Sequence, residues 1–266
     1  MGTVLEREWR KLLEKEERMF RSAEKKKETK LDGKIKGFTD KIEEKIPEKL
    51  LETLDAAFYK AFLLIFEKGT SVIEKTFNGE DLQTEFQTND FRVEKKPTKK
   101  AIRQVEAAGK RSRLINSWVT TAEGVGLGLL GVGVPDIPVF LAMLLKGMYE
   151  TAASYGYDYT KREEQILILR MICAGLADGE KKRRMDRRVE AWLGFAQQKG
   201  VLTFEEEVEK ASAALSEAML TAKFVQGLPI VGAAGGLSNL VIYQKVLRYA
   251  ALKYKKRYLA MKRQGA

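Results

Sequence analysis

Residues Gly124–Pro138 read GVGLGLLGVGVPDIP, and the reading of this stretch decides what fold surrounds it. Gly126, Gly128 and Gly131 have the G-x-G-x-x-G spacing of a dinucleotide-binding loop. That loop works only after a strand and at the start of a helix, where backbone amides face the pyrophosphate. The preceding SWVTTAEG lacks the length and turn punctuation of a buried strand. Behind Gly131, Pro135 and Pro138 prevent a helix from continuing out of the loop. No Gly-Lys-Ser/Thr of a phosphate-binding loop is present. The nucleotide reading fails.

A helical reading accounts for more. Gly124 and Gly128 form a G-x-x-x-G pair, as do Gly232 and Gly236. Such pairs put two spots without side chains on one helical face and let backbones approach closely. Outward from this centre, apolar residues recur at spacings near three and four over 3–30, and Lys34–Lys45 is a short helical candidate. Pro47 opens PEKLLETLDAAFYKAFLLIFEKG with a proline at a helix start and Gly69 near its stop. Thr203, with Glu206 three residues on, predicts a capping box. No strand-length alternation occurs. The expectation is an all-α, multi-helix bundle with a Gly/Pro-rich apolar central hairpin and a basic C-terminal helix. Residues 1–45 read as a charged N-terminal helical extension and 46–266 as the main domain, with a polar loop or insertion, or short helices joined by turns, about 78–100.

Composition narrows the chemistry. The chain has 266 residues, 44% hydrophobic and 32% charged, with five prolines, which argues against global disorder. It contains no histidine, which excludes Ser-His-Asp and Cys-His catalysis and every His-ligated metal site within the chain. The single cysteine, Cys173, permits no intramolecular disulfide and sits in an apolar run as a core thiol. The net charge of +11 favours an anionic partner. The N-terminus lacks the apolar segment of a secretory signal, so a cytoplasmic location is expected.

Two apolar segments raise the membrane question. Val125–Leu145 has about the length of a span, but Asp136 lies at its midpoint between two prolines. Residues 224–244 carry no charge, yet Gln226, Ser238, Asn239 and the glycines weaken them. Buried core helices, shallow or hairpin-like insertion and a true span all stay open on these residues, with the buried core favoured.

The string TTAEGVGLGLLGVGVPDIPVFLAMLLKGMYETAASYGYD, residues 120–158, resembles the EcsC protein family. IPEKLLETLDAAFYKA, LILRMICAG and the terminal LPIVGAAGGLSNLVIYQKVLRYAALKYKKRYL fit it too. The family motif positions are Gly124, Gly126, Gly128, Gly131, Pro135, Asp136, Pro138, Tyr155, Gly156, Gly232 and Gly236. The resemblance implies a bacterial, largely helical protein, linked to a membrane transporter by association only.

Among residues able to act, Glu123, Asp136 and Asp158 border the apolar centre. They are candidates for acid–base work or for holding a divalent cation in a helical enzyme, the alternative to an accessory protein. A simpler role fits the aspartates, as turn and cap residues. No cofactor or metal site is assigned. The basic C-terminal helix offers Lys253, Lys255, Lys256, Arg257, Lys262 and Arg263 interleaved with Tyr249, Leu252, Tyr258 and Leu259. That pattern suits an anionic leaflet. Nucleic acid is not expected, because no recognition motif accompanies the charge. The predicted role is a membrane-associated accessory protein on the inner face of the cell membrane, with the leaflet or a transporter as partner.

Overall fold

The computed structural model describes residues 3–25, 47–69, 79–115, 137–194, 203–225 and 235–265, together with Ile73. Among these residues there are nine α-helices and no strand. They are α1 (Val4–Lys25), α2 (Glu48–Leu64), α3 (Gly79–Lys95), α4 (Lys99–Ile115) and α5 (Ile137–Ala153). α6 (Arg162–Leu176), α7 (Gly179–Gly194), α8 (Phe204–Val225) and α9 (Gly235–Gln264) follow, and α2 runs on as a π-helical turn over Ile65–Gly69. The fold is an all-α bundle.

Burial follows composition. α6 buries every residue from Glu164 to Leu169 and from Met171 to Gly175, so neighbours surround it on all sides. α7, α8 and α9 pack around it. α5, also buried over most of its circumference, packs against α2, α3, α4 and α9. The long α9 thus crosses both central helices, while α1 lies outermost, over α9 and α7. None of the described helices is long and apolar enough to cross a membrane.

Two glycines fix the crossings. A Cβ on Gly175 would lie 3.0 Å from the backbone Cα of Val246, and one on Gly147 would lie 2.7 Å from Leu247. Close helix approach at a glycine is seen at α6–α9 and α5–α9, at positions outside the two G-x-x-x-G pairs. Gly124, Gly126, Gly128, Gly131, Pro135, Asp136 and Gly232 lie outside the described residues, as do Lys34–Lys45 and Glu123. Pro138 sits in the first turn of α5, where its missing amide has no intrahelical acceptor to lose, and Gly236 in the first turn of α9.

Helix starts match their sequence signals. Pro47 precedes α2, and the Thr203 hydroxyl accepts from the Glu206 amide at 3.3 Å. The polar stretch about 78–100 is better ordered than a loop: α3 fills 79–95, and Thr98 caps α4 by accepting from the Ala101 amide at 3.1 Å. Asn89 and Val93 are buried, with Leu82 and Phe86 packed on the same face at spacings of three and four. Surrounding polar residues hide that stripe in the sequence.

Candidate functional site

A helix buried at the centre of a bundle cannot leave its charges unpaired, because an isolated buried ion is strongly disfavoured. α9 brings a run of lysines and arginines to that position, and carboxylates from five other helices meet them. The Nζ of Lys253 donates to Glu16 and Glu190 and lies 2.5 Å from an Asp186 oxygen. Lys256 reaches Glu16 at 2.8 Å and Glu190 at 2.9 Å. Lys255 pairs with Glu106 and, at 3.7 Å, with Glu8. Arg257 meets Glu164 at 2.7 Å and covers the Tyr157 ring at 3.8 Å from its centroid. Lys262 meets Asp90 at 2.8 Å and Glu94 at 2.6 Å, and Arg263 meets Glu6 at 2.8 Å.

These are the six residues expected to face a membrane, and in this arrangement they face protein carboxylates instead. Lys253 has 0% of its surface exposed. The physical reason is register: the face of α9 that carries Tyr249, Leu252 and Leu259 is apolar enough to be buried, and the interleaved cations are carried inward with it.

Glu16, Asp186 and Glu190 each offer an oxygen within 4.8 Å of the others, a spacing that suits a bound cation. The cation they hold is the Lys253 ammonium. Burial pulls the Lys253 pKa down, but Asp186, Glu16 and Glu190 outweigh it and raise the value. Burial likewise pushes the Glu190 carboxyl up, and Lys253 with Lys256 brings it below the usual range. Tyr249 completes the cluster by donating to Asp186 at 2.6 Å. The sequence does carry a signal for these acids. Glu8 and Glu16 occupy the stripe Leu5, Glu8, Leu12, Glu16, Phe20 that α1 buries, where apolar side chains are the norm.

The Y-G-Y-D segment docks the α5–α6 turn. Gly156 has a φ of 78°, and a Cβ there would lie 2.3 Å from the Phe86 ring. Tyr155 stacks on Tyr254 at 6.4 Å and Tyr157 stacks on Tyr254 at 5.6 Å. Asp158 accepts from the amide and hydroxyl of Thr160, at 3.0 and 2.6 Å, as a turn residue does. Cys173 is buried, and desolvation pushes its thiol up to about 12.

A second basic region has the opposite surroundings. Arg92, Lys95 and Lys96 at the end of α3 meet Lys99, Lys100 and Arg103 at the start of α4, and all six are exposed. Among the described residues none of the six makes an ion pair. Phe91 stands beside them 58% exposed, with Lys95 Nζ 5.4 Å from its ring centroid. An open hollow of about 590 Å³ between the two helices is lined by Phe91, Arg92, Lys95, Lys96 and Lys100. The first turn of α4 contains no acid, so Lys99 and Lys100 sit against the positive end of the helix dipole. Glu94 and Glu8 are neighbouring acids, and Lys262 and Lys255 hold them.

The sequence profile of the EcsC protein family matches residues 6–259. The chain belongs to the EcsC protein family. Protein EcsC of Bacillus subtilis (strain 168) is 22% identical over 183 residues, which cover 68% of this chain and 71% of that protein. No solved structure matches the chain. The family match includes α1 from Glu6, the α3–α4 corner and α9 as far as Leu259, so the Lys253 cage and the exposed corner both belong to the EcsC region, while Lys262 and Arg263 lie just beyond the match.

Proposed function

We propose that this EcsC-family chain is a peripheral membrane accessory protein that meets an anionic leaflet through its α3–α4 corner. One observation carries the reading: six exposed cations without ion pairs among the described residues surround an exposed phenylalanine. An aromatic side chain beside lysines and arginines provides both an apolar insertion and attraction to lipid phosphates. Lys99 and Lys100 disfavour the α4 start by about 0.3–1 kcal/mol each, a local cost that an anion at the corner offsets. The inner face of the cell membrane is the proposed location, with a membrane transporter as further partner by family association.

Co-sedimentation with phosphatidylglycerol vesicles tests it. Each basic residue near an anionic surface contributes about 1 kcal/mol. The variant Lys95→Glu/Lys96→Glu/Lys99→Glu/Lys100→Glu should therefore bind at least about 100-fold more weakly. Wild-type binding should also weaken steeply as salt shortens the Debye length. A wild-type protein that ignores these vesicles at low salt would sink the reading.

A further inference from the structure

We propose that α1 is a removable acidic cover over a second anion-binding face, on α9, and that phospholipid headgroups take its place. The proposal rests on the membrane reading above. Leu252, Lys256, Leu259 and Arg263 are spaced four, three and four apart, which puts them on one helical face, flanked by Lys253 and Lys255. Apolar residues flanked by cations are what an interfacial helix presents to an anionic leaflet. α1 offers that face a matching stripe in which Leu5, Leu12 and Phe20 alternate with Glu8 and Glu16, all buried. Carboxylates and apolar side chains in alternation are chemically what a leaflet offers, as phosphates and acyl chains.

The contacts of α1 permit departure. Its principal neighbours are α9 and α7 alone. Two of its ion pairs to neighbouring helices are open to solvent: Arg263–Glu6 is 32% and 41% exposed, and Arg183–Glu17 is 38% and 46% exposed. Such pairs are weak and screened by salt. No buried charge is stranded when α1 leaves. Lys253 keeps Asp186 and Glu190, Lys256 keeps Glu190, and Lys255 keeps Glu106. The departure removes Glu6, Glu8, Glu16 and Glu17, so that Lys253, Lys255, Lys256, Arg263 and Arg183 face only Asp186, Glu190 and Glu106. The uncovered face is cationic and carries two leucines.

The test uses the full chain and phosphatidylglycerol vesicles. Amide hydrogen exchange in α1 should rise on vesicle binding, while α6 stays protected. The variant Glu6→Gln/Glu8→Gln/Glu17→Gln should bind these vesicles about tenfold more tightly, since three pairs that hold the cover are loosened. A control with the same charge change on the exposed Glu52, Glu205 and Glu209, each to Gln, should gain far less. If wild type binds in a manner sensitive to the corner lysines, α1 stays protected and the triple variant equals its control, this proposal is overturned and the membrane reading stands. If wild type does not bind at all, both fail.

Discussion

Two basic regions of this bundle look alike in sequence and differ in every physical respect. KYKKRYLAMKR in α9 and RVEKKPTKKAIR across α3 and α4 are both lysine-rich runs broken by apolar residues. In the α9 run from Lys253 to Arg263 each cation finds a carboxylate, and Lys253 is sealed from solvent. At the α3–α4 corner the cations stand in water around Phe91. The meaning of a charge run is set by acids distant in sequence: Glu16 lies 237 residues from Lys253. The first run holds the fold together, and the second is available to a partner.

The largest expected effect tests the caged run. Replacing Lys253 with Met leaves Asp186 without its ammonium partner and crowds it against Glu16 and Glu190, which keep only Lys256. Breaking a buried ion pair by removing one partner typically loses about 3–5 kcal/mol. Urea unfolding should show a loss of that size, and the four-lysine corner variant should not, because acids at 99 and 100 favour the α4 start while acids at 95 and 96 disfavour the α3 end. Equal losses in the two variants would erase the distinction between the regions.

Most of the helices were legible because α2 carries an apolar face, α5 and α6 are long apolar runs, and Pro47 and Thr203 mark the starts of α2 and α8. The cage was not legible. Its acids come from α1, α3, α4, α6 and α7, and only tertiary packing brings Glu16 and Asp186 to one lysine. Glu8 and Glu16 were readable as charges set in an apolar stripe, but which cation they meet is a property of the α1–α9 crossing. The Y-G-Y-D string was legible as a motif and not as a docking device, since Phe86, which fills the space over Gly156, lies in a segment that reads as polar.

The pH dependence sharpens the comparison next. Glu190 is held below the usual carboxyl pKa by Lys253 and Lys256 despite burial, and Glu8 is lowered by Lys11 and Lys255 against desolvation. A carboxyl whose folded pKa lies below its unfolded value stabilises fully above the unfolded value, and that contribution disappears as pH falls through the folded one. Lys253 has the opposite sign. Its raised pKa contributes fully below the unfolded value of about 10.4, and the contribution is lost as pH rises further. The melting temperature should fall below about pH 4.3 as these carboxylates protonate, and on the alkaline side it should decline from about pH 8.5, where the raised thiol of Cys173 begins to oppose folding before Lys253 does. Because Glu8 is in α1, hydrogen exchange there should rise before exchange in α6 does. The corner variant should keep the same profile; a shifted acid limb would tie the corner to the cage.

The smallest effects separate the two environments within a single dipeptide. Lys181 and Lys182 are neighbours on α7. Lys182 is buried, and its Nζ donates to the carbonyls of Ala174, Ala177 and Gly175 at 3.1, 3.2 and 3.4 Å, satisfying acceptors that the end of α6 leaves open. Lys182→Met leaves those carbonyls buried without a donor and should destabilise by about 1–3 kcal/mol. Lys181 pairs with Glu217 at 2.7 Å, but the two side chains are 48% and 50% exposed. Lys181→Met should change the urea midpoint by less than about 0.5 kcal/mol in equivalent free energy. A shorter distance therefore accompanies the weaker contribution, because water competes for the Lys181 pair and has no access to the carbonyls around Lys182. If the two substitutions cost the same, burial is not what distinguishes the basic runs of this bundle.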